Sequence, residues 1–555
     1  MFTESLLDDI AEPKTFKAAC RDAHASQWEH AMNQEFNSLI KNDTWELVPR
    51  PTDKNIVGNR WVYKVKRASD GTVERFKARL VAKGYSQAAG IDYEEVFSPV
   101  ARFPTLRTLL AFANAHDLEI HHMDVTTAFL NGELDCEIFM EQPEGFVDAT
   151  RPDYVCKLKK GLYGLKQSAR CWNNTLDEFL KSRGFVQNEA DECVYTKAVK
   201  QDDGKISFII MAVYVDDIIP VSNDNMLLSA EKRAICDEYD MVDNGEIKHC
   251  LGLIIKRDRK NKILSISQSN YIENVLVKFG MENSRPVATP LEPGVPFYKM
   301  AEGDTVFDVK TYQQAIGSLT YAAICTRPDI SAAVGVLSQF MSNPNSVHWT
   351  GVKRILRYLR GTANYGLIYD GKTEVELVGY SDADWAGDVN TRRSTSGYAF
   401  QLGNATITWS SRRQQTVARS STEAEYVALS AATQECIWLR RLVESLGIKI
   451  DLPTTIFEDN QGAIDIAKNP KHHGRTKHID VSHHFIRERI ASKEISVLYL
   501  QTGDMTADIL TKGVTAVKFK KFRDCLGVMD VGRFESSKIN EKKAVSWDPV
   551  TYYSD

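Results

Sequence analysis

Two neighbouring carboxylates, Asp216 and Asp217, interrupt an otherwise apolar run over residues 208–221. Charge inside an apolar hairpin is costly unless something offsets it, and a divalent cation is the natural partner of paired carboxylates. Successive strand residues face opposite sides, so both acids converge only at a tight bend, where one dominates as a ligand. A third acid, Asp124, ends an apolar strand over residues 120–125. Asp124, Asp216 and Asp217 together can hold two Mg²⁺ ions for an in-line displacement at phosphorus. The rival reading of the pair alone is an ordinary turn, which Asp favours.

A second spread of acids lies towards the C-terminus. Asp382 and Asp459 each end a strand, Glu423 and Glu425 open a helix, and Asp508 lies in Thr506-Ala-Asp-Ile-Leu-Thr-Lys512. An acid after a strand is often only a cap for the next helix. Four such positions in this order favour a second two-metal site.

The elements that must position these acids follow from periodicity. Residues 10–42 read as helix, with Trp28, Met32, Phe36 and Ile40 spaced for one face. Residues 61–66 and 78–83 alternate, which predicts strands around a turn at Asp70-Gly71. Residues 105–117 read as helix, 120–125 as strand, and 169–182 as helix after the turn Gly161-Leu-Tyr-Gly164. Residues 222–300 alternate helix and short strand, and helices follow at 311–342 and 347–360. In the last, Val352, Ile355, Leu356 and Leu359 form an apolar stripe. Lys353, Arg357 and Arg360 share another face, which is either merely solvated or tracks the phosphates of a duplex. A boundary falls at residues 365–373. Beyond it come a strand (374–382), a hairpin (397–410), a helix (422–446), a strand (454–459), a helix (461–468), a strand (495–501) and a helix (505–511). The polar segment after Gly532 is expected to be disordered.

A chain of 555 residues is too long for one core and predicts two to four packed units. No stretch approaches the roughly 20 apolar residues of a membrane span. The start, Met1 to Ser5, lacks the basic and apolar regions of a secretory signal. The ten cysteines form no Cys-x-x-Cys pair, which suits reduced intracellular thiols rather than a disulfide framework or zinc knuckle. His472-His473 and His483-His484 likewise lack cysteine partners at zinc spacing. There is no Walker-type loop, which argues against an ATPase. The net charge of −5 excludes a uniformly basic nucleic-acid protein but not basic channels. Eight basic residues (Arg60, Lys64, Lys66, Arg67, Arg75, Lys77, Arg79, Lys83) stand against Asp70 and Glu74 within one short stretch. A second basic stretch runs from Lys468 to Lys493.

An ordered series of longer motifs makes a family visible. It begins with Asn59-Arg-Trp-Val-Tyr-Lys64, Arg75-Phe-Lys-Ala-Arg-Leu-Val-Ala-Lys-Gly-Tyr-Ser-Gln87 and Met123-Asp-Val-Thr-Thr-Ala-Phe-Leu-Asn-Gly132. It continues with Gly161-Leu-Tyr-Gly-Leu-Lys-Gln-Ser168, Tyr214-Val-Asp-Asp217 and Thr326-Arg-Pro-Asp-Ile330. Gly379-Tyr-Ser-Asp-Ala-Asp-Trp-Ala-Gly387, Asp459-Asn-Gln461 and Arg475-Thr-Lys-His-Ile-Asp480 complete it. From about Ala25 to Lys521 the chain resembles the reverse transcriptase and RNase H portion of copia-type LTR-retrotransposon Pol polyproteins.

The resemblance implies an α+β fold: a right-hand polymerase of fingers, palm and thumb, followed by an α/β RNase H-like domain. The implied division is a leader (1–24), fingers and palm (25–262), thumb or connection helices (263–370), an RNase H-like domain (374–528) and a tail (529–555). Asp124 and Asp216 would be the main palm ligands, with Asp217 in support. Lys64, Lys77 and Arg79 would lie in the fingers and neutralise a triphosphate. Phe129 would sit beneath the sugar and exclude a ribose 2′-hydroxyl, with a plain core Phe as the rival reading. Tyr163, Gly164 and Lys166 would line the nucleotide and template pocket, and Tyr214 would join them. The family pattern usually has Pro where this chain has Ala169, commonly an aromatic where Cys250 opens the primer-grip segment, and often Gln at Met505. In the nuclease, Asp382, Glu425, Asp459 and Asp508 would be the ligands, Glu425 being preferred to Glu423. His478 would assist water activation or product release, or be structural.

The implied activity is RNA-directed DNA synthesis with degradation of the copied RNA. Each active site would use two Mg²⁺ ions, with Mn²⁺ as the other candidate. The implied partners are an RNA template, a DNA primer, an RNA–DNA hybrid and deoxynucleoside triphosphates, with no membrane and a dimer as a candidate assembly. The setting would be intracellular, in a cytoplasmic virus-like particle or the nucleus. Two alternatives stay open: a decayed or co-opted copy that binds nucleic acid without catalysis, and a chain in which only the nuclease half works.

Overall fold

Trp28 organises the first part of the molecule. In the computed structural model the helix Ala25–Lys41 buries Trp28, Ala31, Met32 and Leu39. The Trp28 ring meets Tyr63 and Phe76 edge-on, with centroids 5.3 and 4.6 Å away. Those rings come from the antiparallel pair Asn59–Arg67 and Val73–Ala82, where Lys64 lies opposite Lys77 and Val62 opposite Arg79. The two-residue period sends Trp61, Tyr63 and Val65 to the core and leaves Lys64, Lys66, Arg75, Lys77 and Arg79 together on the other face.

The structure describes residues 10–67, 72–373, 375–468 and 480–532, apart from the side chains of Arg67 and residues 480–483. The turn at Asp70-Gly71, the histidines His472, His473 and His478, residues 469–479 of the Lys468–Lys493 basic stretch and the tail after Gly532 lie outside the described residues. The helix expected over residues 10–42 is instead two, Phe16–Ala19 and Ala25–Lys41. Ile40 is 52 % exposed rather than on the buried face, and Leu39 takes the inner position. Each four-residue step overshoots a helical repeat by about 40°, so three steps from Trp28 carry Ile40 off the stripe.

The chain divides into two compact units, residues 1–101 with 121–245 and residues 102–120 with 246–555. The first unit also carries a four-stranded sheet in the order Trp45–Pro49, Tyr154–Lys160, Glu133–Met140, Ile56–Val57. Its six-stranded sheet runs Met241–Glu246, Glu119–Val125, Asp217–Ser222, Ile206–Tyr214, Val194–Lys200, Val186–Gln187. The helices Ser168–Ser182 and Asn225–Glu238 pack into the same core, which contains Trp172, Leu176, Met211, Val213 and Leu228.

In the second unit, the helix Phe103–Ala115 buries Arg107 against carbonyl oxygens of Ile324, Cys325 and Ile407 at 2.7–2.9 Å. The guanidinium lies over the Trp409 ring, 3.9 Å from its centroid. One five-stranded sheet runs His249–Cys250, Leu253–Asp258, Ile263–Ser267, Tyr365–Asp370, Val528–Asp530. The single helix expected at 311–342 is broken into Val309–Cys325 and Ser331–Ser338. Pro328, which lacks an N–H and disfavours helix before it, sits in the break. There Arg327 is fully buried, paired with both Asp329 oxygens at 2.8 and 2.9 Å, while Tyr358 Oη donates to the same carboxylate at 2.6 Å. The motif Thr326 to Ile330 is therefore a buried clasp between helices.

The other sheet of this unit runs Ala405–Arg413, Thr395–Leu402, Leu377–Ala383, Thr454–Glu458, Ile495–Tyr499. The first three strands are antiparallel, and the last two run parallel to Leu377–Ala383. The C-terminal ends of Leu377–Ala383 and Thr454–Glu458 thus lie side by side. The long helix Ser421–Ser445 packs across the central strands. The helix expected at 505–511 is a tighter 3₁₀ turn, Thr506–Leu510.

Candidate active sites

The first site forms around a two-residue bend. Tyr214 pairs with Asp217, so Val215 and Asp216 make the turn between Ile206–Tyr214 and Asp217–Ser222. Val215 has φ +57°, a costly conformation for a β-branched residue. Trp172 Nε1 donates to the Val215 carbonyl oxygen at 2.7 Å and holds the bend. Beside it, Val125 N donates to the Asp216 carbonyl oxygen at 2.8 Å, tying the strand that carries Asp124 to the turn. Burial raises the carboxyl of Asp124, and the Asp217 charge adds to it. Burial likewise raises Asp216, with Asp217 and Asp124 adding to it.

Asp217 is held differently. Its Oδ1 lies 2.6 Å from His122 Nε2. On the other side of the ring the Asn244 amide nitrogen lies 3.1 Å from His122 Nδ1, so the imidazole bridges Asn244 and Asp217. His122 was not singled out by the motif; its signal is its place two residues before Asp124, on the same strand face.

Other expected contacts fall into two groups. Phe129 and Tyr163 pack together with centroids 4.9 Å apart, and Arg79 lies over the Tyr163 ring at 4.1 Å. Burial raises the Tyr163 hydroxyl, and Asp216 and Asp124 also push it up. Burial lowers the Lys77 ammonium, with Arg79 and Arg75 repelling it. These residues share one electrostatic neighbourhood with the acids. Lys64 is instead paired with Glu12 at 2.9 Å. Lys166 Nζ donates to Tyr93 Oη at 2.9 Å and reaches the Gln87 carbonyl oxygen at 3.4 Å. Gly164 has φ +93°, and a Cβ there would lie 2.2 Å from the Ala82 carbonyl oxygen. Close backbone packing alone requires glycine at this position.

The second site gathers at the strand ends. Oxygens of Asp382, Asp459 and Asp508 lie within 4.8 Å of one another, and so do those of Glu425, Glu458 and Asp459. Asp459 belongs to both groups. Glu423 is spent elsewhere: its carboxylate accepts from Arg419 N at 2.9 Å while its own N donates to the Ser420 cap. Burial pushes Asp382 up to about 7, opposed by Lys512 and reinforced by Asp508. Glu425, pushed up to about 11, and Glu458 are also raised, mainly by burial and then by the Asp382 charge. Glu425 Oε2 and Glu458 Oε2 are buried without a hydrogen-bond partner. Lys512 Nζ sits 2.8 Å from Asp508 and 3.5 Å from Asp382, where a cation belongs, and Lys518 lies 3.2 Å from Asp508. Orphaned carboxylate oxygens beside a stand-in ammonium fit hard divalent cations. Glu458, Lys512 and Lys518 were missed in the sequence. Lys512 had a signal in its i+4 spacing from Asp508, whereas Glu458 read as the last residue of an apolar strand.

The family model described as reverse transcriptase (RNA-dependent DNA polymerase) matches residues 42–293. A putative transposon Ty5-1 protein of Saccharomyces cerevisiae is 34 % identical over 314 residues, covering 56 % of this chain and 100 % of that protein. The chain belongs to the retrotransposon reverse transcriptase family. It is also 43 % identical over 528 residues to a retrovirus-related Pol polyprotein from transposon TNT 1-94 of Nicotiana tabacum. That match covers 94 % of this chain and 39 % of the polyprotein. The corresponding polyprotein from transposon RE1 of Arabidopsis thaliana is 42 % identical over 94 % of this chain and 35 % of its own length. The chain thus spans under half the length of these polyproteins. The atypical Ala169 lies in the first turn of Ser168–Ser182, where its carbonyl oxygen accepts from Ser98 Oγ at 3.2 Å. The segment opened by Cys250 is a hairpin whose turn residues, Leu251 and Gly252, both have positive φ, and Tyr321 Oη donates to the Leu251 carbonyl oxygen at 2.6 Å.

Proposed function

We propose that this chain is an RNA-directed DNA polymerase with RNase H activity, copying retrotransposon RNA and cutting the RNA of the resulting hybrid. Two sets of acids carry the reading: Asp124, Asp216 and Asp217 act on one another electrostatically around a two-residue bend, and Asp382, Glu425, Glu458, Asp459 and Asp508 bring their oxygens together in two overlapping groups. In this reading the Asn59–Arg67 and Val73–Ala82 pair belongs to the fingers, the six-stranded sheet to the palm and helices such as Ser346–Gly361 to the thumb or connection. The Leu377–Ala383 sheet is the RNase H-like domain.

Asp124 and Asp216 would hold the palm ions, with Asp217 in support, and Asp382, Glu425, Asp459 and Asp508 would hold the nuclease ions. Bound Mg²⁺ or Mn²⁺ would supply acidity to the attacking oxygen and neutralise charge on the leaving group. The protein's own residues do the rest. Trp172 fixes the bend so that Asp216 keeps one position. His122 engages one oxygen of Asp217, which leaves Asp124 and Asp216 as the freer ligands. Arg79 and Lys77 present positive charge beside the acids for a triphosphate, and Phe129, braced by Tyr163, supplies bulk beneath a deoxyribose. The partners are accordingly an RNA template, a DNA primer, the hybrid and deoxynucleoside triphosphates. Among the described residues no helix is long and apolar enough to cross a membrane. An intracellular particle or the nucleus is the proposed setting.

The test is deoxythymidine incorporation on poly(rA) with an oligo(dT) primer, with Asp216→Asn alongside, and hybrid cleavage with Asp382→Asn alongside. Metal-dependent activity that each variant abolishes supports both sites. Hybrid binding with neither activity would leave a nucleic-acid-binding relic, and cleavage without extension would leave the nuclease alone.

A further inference from the structure

The nuclease centre is electrically lopsided. On one side Asp382 and Asp508 already face Lys512, and Asp508 faces Lys518 as well. On the other side Glu425, Glu458 and Asp459 bring oxygens within 4.8 Å of one another. Among the described residues no ion pair neutralises Glu425 or Glu458. Glu458 has no exposed surface, and Glu425 has only 6 %. Glu458 Oε1 accepts from Asn460 N at 3.2 Å, which orients the carboxylate and leaves Oε2 buried without a partner. Glu425 Oε2 is buried and unpartnered in the same way. Two orphaned carboxylate oxygens in one pocket are among the costliest arrangements a folded chain can hold, unless a cation or a proton sits between them.

We propose that Glu458 is a fifth carboxylate of this centre, a ligand of a hard divalent cation shared with Glu425 and Asp459, and that this half fills before the Asp382–Asp508 half. The inference rests on the nuclease reading above and adds a residue and an order to it. The order follows from competition. Among the described residues a cation entering beside Glu458 displaces no resident charge, whereas one entering between Asp382 and Asp508 must displace the Lys512 ammonium. Each half offers three carboxylates with Asp459 shared, so it is the resident ammonium that sets the order.

The rival account is that Glu458 is a buried, protonated carboxyl hydrogen-bonded to Glu425. Glu458→Gln separates the two, because Gln has the shape and the donor of a protonated Glu but lacks the charge a ligand supplies. Mn²⁺ binding is titrated by the electron paramagnetic resonance signal of the free ion, without nucleic acid. The full chain carries Asp124→Asn and Asp216→Asn, so that the palm adds no site. The expected result is two classes of site, with Glu458→Gln weakening the tighter class at least ~10-fold and sparing the weaker one. Lys512→Met should tighten the weaker class alone. Unchanged binding in Glu458→Gln overturns the inference, as does loss confined to the weaker class. Melting in chelator checks folding. Should Glu458→Gln fail to fold, Glu458→Ala is titrated in its place and read the same way. Hybrid cleavage by the parent keeps the two readings apart. Cleavage with Glu458-independent binding sinks only the ligand assignment, and Glu458-dependent binding without cleavage sinks only the nuclease.

Discussion

Trp172 and Val215 are joined by a 2.7 Å hydrogen bond from the indole nitrogen to the carbonyl oxygen, across the core of the first unit. This bond holds a β-branched residue at φ +57° immediately before Asp216. A helix side chain therefore fixes where Asp216 lies.

Trp172→Phe keeps most of the buried ring volume and removes the donor. Primer extension should fall by ~10- to 100-fold, as expected for a misplaced catalytic group, while hybrid cleavage is unchanged. Equal extension by the variant would show that the bend holds itself. Val215→Gly should leave the melting temperature level or higher, because relieving roughly 1–2 kcal/mol of left-handed strain offsets the added chain entropy of glycine.

Phe129 leans on Tyr163 beside the acids. Replacing it with Val should admit a 2′-hydroxyl and raise ribonucleotide incorporation about 10-fold or more relative to deoxynucleotides. Paired single-nucleotide extensions measure the ratio. A ratio that does not move would make Phe129 a core residue.

The Arg327–Asp329 pair is fully buried and shares Tyr358. Asp329→Ala strands the guanidinium and should cost about 3–5 kcal/mol in urea unfolding. Arg327→Met combined with Asp329→Leu should cost much less than the single change, since no charge is left unpaired. Equal losses would mean that shape rather than charge matters there.

The buried acids Asp382, Glu425 and Glu458 predict a pH dependence of stability. Unfolded carboxyls titrate near pH 4, whereas burial lifts Asp382 to about 7, Glu425 to about 11 and Glu458 well above the ordinary carboxylate range. Above about pH 4 the folded state therefore holds protons that the unfolded state has lost, so stability falls as pH rises, for Asp382 up to about 7 and for Glu425 beyond, with Glu458 adding to the fall. In chelator the melting temperature should drop between pH 5 and pH 8. Saturating Mg²⁺ should remove most of that drop. A chelated protein whose melting temperature rises across this range would contradict the burial of these acids in ionisable form.

Much was legible in the sequence because it depends on local order. Paired acids in an apolar run, strand alternation and the i, i+3, i+4 stripe of Ser346–Gly361 are properties of neighbouring residues. From these came both carboxylate sets, most element positions and the preference for Glu425. The family motifs carried the rest of the chemistry.

Tertiary structure decided what depends on residues far apart in the chain. Ile40 left its expected face because a helix repeats every 3.6 residues, and the helix at 311–342 broke where Pro328 and a buried clasp intervene. Asp217 acquired His122, Lys64 acquired Glu12, and Gly164 was claimed by the backbone of Ala82. Glu458 looked like the end of an apolar strand until parallel pairing and the long helix brought it to Glu425. A local pattern says which face a side chain takes, but only folding sets which charges share a dry pocket, and the cost of burying them is fixed there.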